Sequence, residues 1–238
     1  MGDAFWPGHL DGLSRRLGAL RFSEPVAHVY NPLEYARAPL LQYFERYAQA
    51  PREILFLGMN PGPFGMVQTG IPFGEVSMVR DYLGIDAPIL APPDQHPRRP
   101  VLGWACPRSE VSGRRLWSWV RRHHPRAPDF FERHFVANYC PLAFMESGGK
   151  NITPDKMKPT EVTELFAACD DALRDLVRRL ETRRVIGVGQ FARKRADAAL
   201  YGLGIRVDVI PHPSPANPAA NRGWDEAVDA SLAQLGLP

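Results

Sequence analysis

Two asparagines and a histidine stand where a chain could use them for hydrolysis. Asn60 lies in the stretch "FLGMNPGPFGM", residues 56–66, which holds three glycines and two prolines and follows directly on an apolar run. Asn138 ends the run Phe135-Val136-Ala137, and His212 sits between Pro211 and Pro213 just after Ile210. A fourth junction, Gly187-Val188-Gly189-Gln190, is a Gly-rich turn. An amide side chain carries both donor and acceptor, so a fixed asparagine can match the N–H and C=O edge of a pyrimidine. A histidine can donate to negative charge that grows during a reaction. Together they suit cleavage of a bond whose leaving group is a delocalised anion, of which a nucleobase departing from a sugar is one case. No Asp or Glu stands at these junctions, so the paired carboxylates of glycoside hydrolysis are missing. A G-x-S-x-G elbow, a Walker motif and the full G-x-G-x-x-G fingerprint are also missing.

The elements that must hold these residues follow from hydrophobic period. Leu10, Leu13, Leu17 and Leu20 keep helical spacing and predict a lead-in helix. A second helix is expected over Ala38–Ala48 with Leu40, Leu41, Phe44 and Tyr47 inward, followed by a strand over Glu53–Leu57. Residues 88–107, rich in proline, read as an ordered excursion. Further helices are expected over Ser112–Arg122, Thr160–Leu180 and from Gly189 to Leu200. Further strands are expected over Phe135–Asn138, Val185–Val188 and Ile205–Ile210. Short apolar strands alternating with helices argue for a parallel sheet covered on both faces. Ligands of such sheets bind beyond the carboxyl ends of the strands. All four polar junctions fall at such ends, so they should converge on one cleft.

The 238 residues, 45% of them hydrophobic, suffice for one core and one domain, 1–238, with 1–25 as a lead-in segment. Net charge is +3, a balance that permits nucleic acid without arguing for it. No apolar run is long enough to cross a bilayer, and the first residues lack the basic and apolar regions of a secretory signal. Cys106, Cys140 and Cys169 are too scattered for a metal centre and read as reduced residues of an intracellular protein. Richness in Arg, Ala and Pro favours a bacterial cytoplasm; a eukaryotic source would place the protein in the nucleus.

Four stretches carry a resemblance: "GMNPGPFGM" at 58–66, "QTGIPFGEVSMVRD" at 68–81, "ANYCPL" at 137–142 and "HPSPANP" at 212–218. They closely resemble the single-strand-selective monofunctional uracil-DNA glycosylases, over a span from about Tyr30 to Leu237 that leaves the first twenty-odd residues outside. The resemblance implies an α/β fold, three-layer α/β/α with a short central, mainly parallel sheet, as in the uracil-DNA glycosylase superfamily. It implies hydrolysis of the N-glycosidic bond of uracil, and of oxidised uracils such as 5-hydroxymethyluracil, in single-stranded and duplex DNA. The base would be flipped out and water would attack, leaving an abasic site. No cofactor or metal is expected, no membrane, and a monomer.

The resemblance also assigns parts. Asn60, otherwise a turn former, would position the water, and His212 would hydrogen-bond uracil O2 as charge grows there. Asn138 would read the N3–H and O4 edge, and Phe73 would stack on the base. Met59 and Met66 would wall the pocket, and Gly62 would leave room beside C5. Pro213, Ser214, Pro215, Ala216 and Asn217 would form a wedge entering the base stack. Relatives commonly carry Arg at the position of Ala216, which weakens intercalation by arginine here; Arg222 is the substitute within reach. Gly189 and Gln190, opening a helix, would hold a phosphate through backbone N–H groups. Ser77, Lys150 and Asn151 would be further contacts to the DNA backbone. Two alternatives stay open: a glycosylase of deaminated purines (hypoxanthine, xanthine), and a lesion-binding protein without catalysis, since Asn60 cannot act as a base.

Overall fold

A computed structural model describes residues 5–218 and 220–237. In chain order the elements are α1 (Phe5–Gly18), β1 (His28–Tyr30), α2 (Pro32–Tyr35), α3 (Arg37–Tyr47), β2 (Ile54–Gly58) and α4 (Met66–Thr69). There follow α5 (Val111–His123), α6 (Ala127–Phe131), β3 (His134–Asn138), β4 (Ala143–Met145) and β5 (Asn151–Ile152). The chain ends with α7 (Pro159–Arg179), β6 (Arg184–Val188), α8 (Gln190–Ala199), β7 (Arg206–Ile210) and α9 (Trp224–Gln234).

The main sheet has four parallel strands in the order β3-β2-β6-β7. Every residue of β2 is buried, the consequence of helices on both of its faces. Alternate side chains show the two layers. Phe56 meets Trp119 of α5 and Phe130 of α6. Leu57 turns the other way and shares an apolar crevice with Leu10 of α1 and Leu173 of α7. On that second side α8 lies against β6 and β7.

Register then aligns the site. Gly58 pairs with Asn138, and Val188 with Ile210, so the polar residues that follow each strand leave the sheet at one level. β2 begins the sheet in sequence, with β3 added on one side and β6 on the other. That reversal opens a crevice at the carboxyl ends. Pairing continues past the strand: Tyr139 N–H donates to Gly58 O (2.9 Å) and Cys140 N–H to Met59 O (2.9 Å).

The predicted helices and strands all form, with ends moved by one or two residues. Two inward assignments change. Leu41 is only half-buried and Tyr43 takes the inward place on α3, its hydroxyl donating to Val136 O at 2.9 Å. Leu20 lies beyond the end of α1. A second, antiparallel sheet, β1-β4-β5, has no counterpart in the sequence reading. Strands of two or three residues show no measurable period. α9 and α6 were likewise not legible as elements.

Candidate active site

The carboxyl ends of β2, β3 and β7 enclose a cavity of about 380 Å³. Met59, Asn60, Gly62, Met66, Phe73, Asn138, His212, Ser214 and Pro215 line it, all of them named from sequence. Thus three of the four junctions meet as expected. The fourth does not reach the cavity. Gly189 (φ +94°) sits behind His212, where a Cβ would lie 3.1 Å from the histidine's own Cβ. Its N–H is engaged by Ile210 O at 2.9 Å, so that donor is already occupied and only Gln190 of the pair remains a candidate phosphate donor.

The candidate base-reading group, Asn138 and Phe73, is built around Gly58. A Cβ there would fall 2.2 Å from Asn138 Oδ1 and 2.6 Å from Phe73 Cε2, so no side chain fits. Asn138 Nδ2 is 3.2 Å from Met66 Sδ, a weak acceptor that gives up its donor easily. Phe73 is held at φ +54°, a conformation that disfavours any residue with a Cβ by about 1–2 kcal/mol. Its surroundings enforce this. Trp117 Nε1 donates to Pro72 O (3.3 Å), Thr69 Oγ1 donates to Gly74 O (3.0 Å), and Gly113 of α5 abuts the Phe73 carbonyl. Strain of this kind persists where the structure over-determines it, commonly at ligand sites.

His212 is fixed in both orientation and protonation. Ser214 N–H donates to its Nδ1 (3.0 Å), which leaves the proton of the neutral ring on Nε2. Burial lowers its pKa from 6.5 to about 4, so the ring is neutral at physiological pH. Its centroid stands 6.3 Å from that of Phe73. Asn60 Nδ2 reaches toward Leu142 O at 3.5 Å, the outer limit of hydrogen bonding, which turns the amide carbonyl the other way.

The segment expected to act as a wedge, residues 213–217, is braced by its own side chains and by neighbours. Asn217 Nδ2 donates to His212 O (3.0 Å), Asn221 Nδ2 to Pro215 O (2.8 Å), and Ala216 N–H to Ser214 Oγ (3.1 Å). Arg115 of α5 donates to Pro213 O at 2.8 Å. Pro215, Ala216 and Arg222 are exposed. Behind Asn138, Tyr139 Oη donates to Asp170 Oδ1 (2.6 Å), and Arg195 joins both while lying over the Phe166 ring at 4.2 Å.

Of the residues named as further DNA contacts, Asn151 lines the cavity, while Ser77 is exposed and donates to Glu75 (2.7 Å) and Lys150 pairs with Glu146 (3.6 Å). Sequence reasoning missed Thr153, Ser112 and Glu110 in the lining. Glu110 matters most. Carboxylates are not at the strand ends, but this one enters the cavity from the N-cap of α5. Its only local signal, an acidic residue just before a helix, is that of an ordinary cap. No group of three or more His, Cys, Asp or Glu among the described residues has the geometry of a metal centre. No described helix is long and apolar enough to cross a membrane.

The comparisons agree with this geometry. Residues 44–235 match the uracil DNA glycosylase superfamily. A mouse protein called single-strand selective monofunctional uracil DNA glycosylase is 49% identical over 94% of this chain and 81% of its own length. Its rat and bovine counterparts are 49% identical over the same share of this chain, covering 82% and 84% of their own lengths. A match over 94% of the chain necessarily reaches into residues 1–25, so the similarity begins earlier than Tyr30. In fold, the chain superposes on a crystal structure of SMUG2 from Pedobacter heparinus with a TM-score of 0.63 at 16% identity, over 96% of this chain and 97% of that one. By the superfamily match and by close identity along nearly its whole length, this chain belongs to the single-strand selective monofunctional uracil-DNA glycosylases of the uracil DNA glycosylase superfamily.

Proposed function

We propose that this protein is a monofunctional DNA glycosylase of base-excision repair, which hydrolyses the N-glycosidic bond of uracil and of oxidised uracils in single-stranded and duplex DNA. The observation that carries this is the pairing of a neutral, tautomer-fixed His212 with Asn138 across Phe73 in one cavity. A flipped uracil stacks on Phe73, contributing about 1–3 kcal/mol. Its N3–H donates to Asn138 Oδ1 and its O4 accepts from Nδ2, exchanging a weak thioether partner for a carbonyl. His212 Nε2–H then points at O2.

The reaction follows from these placements. Water adds through oxygen to C1′ while the N1–C1′ bond breaks, and the electron pair leaves with the base as a uracil anion delocalised over N1 and O2. The water's proton passes to solvent. Asn60 cannot accept that proton; its carbonyl orients the water. Catalysis therefore rests on stabilising the departing anion, which is strongest when the donor is preorganised and dry. Cavity lining among the described residues includes no lysine, so no amine is placed for Schiff-base chemistry, consistent with a monofunctional enzyme. The protein acts as a monomer on intracellular DNA, without cofactor; Gln190, Asn151 and residues 213–217 touch the strand around the flipped nucleotide.

The test uses single-stranded oligonucleotides carrying uracil, 5-hydroxymethyluracil, hypoxanthine, xanthine or cytosine, scored for alkali-labile abasic sites. Wild type should cleave the uracils. Asn138→Asp should lose uracil and gain slight action on cytosine, whose edge reverses donor and acceptor. Purine excision exceeding uracil excision would move the assignment to deaminated purines. Tight binding with no abasic product would make the protein a lesion binder.

A further inference from the structure

Among the described residues that line the cavity Glu110 is the sole carboxyl, and the reaction just described does not use it. Its position is tightly specified. A Cβ on Gly62 would fall 2.5 Å from Glu110 Oε2, and one on Gly65 would fall 2.9 Å from its Cγ. The two glycines therefore make a bare groove in which this side chain lies. Phe64, between them, carries Arg108 over its ring at 3.9 Å, so the segment before α5 grips the loop from outside as well. Burial pushes the Glu110 carboxyl above the ordinary carboxylate range, while the N–H groups of Phe64 and Ser112 pull it back. A carboxylate offers about four lone-pair directions. Two N–H groups leave part of that capacity unfilled in a side chain that lines the cavity.

The orientation of the base, which rests on the function proposed above, says which atom Glu110 meets. With O2 at His212, C5 lies on the opposite side of the ring. With O4 at Asn138, C5 is the next atom along. Met66, 3.2 Å from Asn138 Nδ2, marks the O4 side, and Gly65 precedes it. The C5 edge thus faces Gly62, Gly65 and the carboxyl between them.

We propose that Glu110 is a specificity-determining residue that reads the substituent at C5 of the flipped uracil, accepting a hydrogen bond from a 5-hydroxymethyl group and disfavouring an anionic 5-carboxyl group. A hydroxyl there brings a donor to a half-buried acceptor. A carboxylate there brings like charge to within contact, which the low local polarity of the cavity makes costly. Sites built to pair a polar group discriminate by leaving one of their own groups unpaired when the match fails.

The experiment compares wild type, Glu110→Gln and Glu110→Ala on single-stranded oligonucleotides carrying uracil, 5-hydroxymethyluracil or 5-carboxyuracil. Single-turnover rates are expressed relative to each variant's own rate on uracil. Glu110→Gln should raise the relative rate on 5-carboxyuracil by about tenfold and keep that on 5-hydroxymethyluracil, because the amide still offers an acceptor. Glu110→Ala should lower the relative rate on 5-hydroxymethyluracil by about tenfold, one hydrogen bond's worth. Unchanged ratios in both variants overturn the assignment. So does a parallel fall on all three substrates in Glu110→Gln, which would instead make Glu110 a support of the loop or of the attacking water. A wild type inert on uracil would sink the glycosylase reading itself, a result distinct from either of these.

Discussion

In the proposed mechanism Asn60 and His212 divide the chemistry unequally. His212 would touch the atom that gains charge, and its proton is held on Nε2 by a backbone donor from Ser214. Asn60 would act only on the nucleophile. Replacing either by Ala should lower single-turnover excision of uracil by about 100-fold, or ~2.7 kcal/mol of transition-state stabilisation, with DNA affinity retained. Rates measured with enzyme in excess over a single-stranded substrate check this. Full activity in one variant would remove that residue from the mechanism. Because burial already holds His212 near a pKa of 4, its own titration should leave the rate flat from pH 8 down to about 5.

The proposed wedge is residues 213–217, with Ala216 where the resemblance leads one to expect Arg. Its backbone is braced by Asn217, Asn221 and Arg115, yet its exposed tip carries only the ring of Pro215 and the methyl group of Ala216. A wedge fills the gap left by a flipped nucleotide, and opening a duplex requires a few kcal/mol that an unpaired strand largely avoids. Ala216→Arg should therefore raise excision from a U·A pair more than from single-stranded uracil. Single-turnover rates on both substrates at one fixed salt concentration decide it, since phosphate contacts are salt-dependent. Equal changes on both would show that position 216 does not govern opening. Arg222, exposed in the turn at Ala220–Arg222, would then be the next residue to replace.

For the molecule as a whole, partly buried neutral histidines link stability to pH. His134, at the start of β3, and His212, beyond the end of β7, both have pKa values lowered by burial from 6.5 to about 4. Between those two values the unfolded chain binds more protons than the folded one. Stability must therefore fall as pH drops through 6.5 toward 4, and level off below. Each imidazole contributes on the order of 1 kcal/mol by pH 5, after discount for partial solvent access. His134→Gln should flatten this slope without abolishing it. Urea unfolding of both proteins at pH 7 and pH 5 measures the difference; identical slopes would mean that His134 titrates normally.

Sequence by itself determined the parallel sheet, because β2, β3 and β6 are apolar runs whose period admits little else, and it determined that Asn60, Asn138 and His212 would share a cleft, because strand ends of one sheet lie at one level. The lead-in helix and α7 were legible for the same reason: periodic burial is written locally. What only the tertiary structure decided depends on approach between distant segments. Gly189 reads as a phosphate turn, but its place behind His212 follows from the pairing of β6 with β7. The β1-β4-β5 sheet brings Asn151 to the cavity through strands too short to carry a pattern. Glu110 looks like a helix cap until α5 is laid across the loop at Gly62 and Gly65, and two missing side chains there are what let its carboxyl in. Space left by glycine is a property of what comes to fill it, and no local stretch of sequence states that.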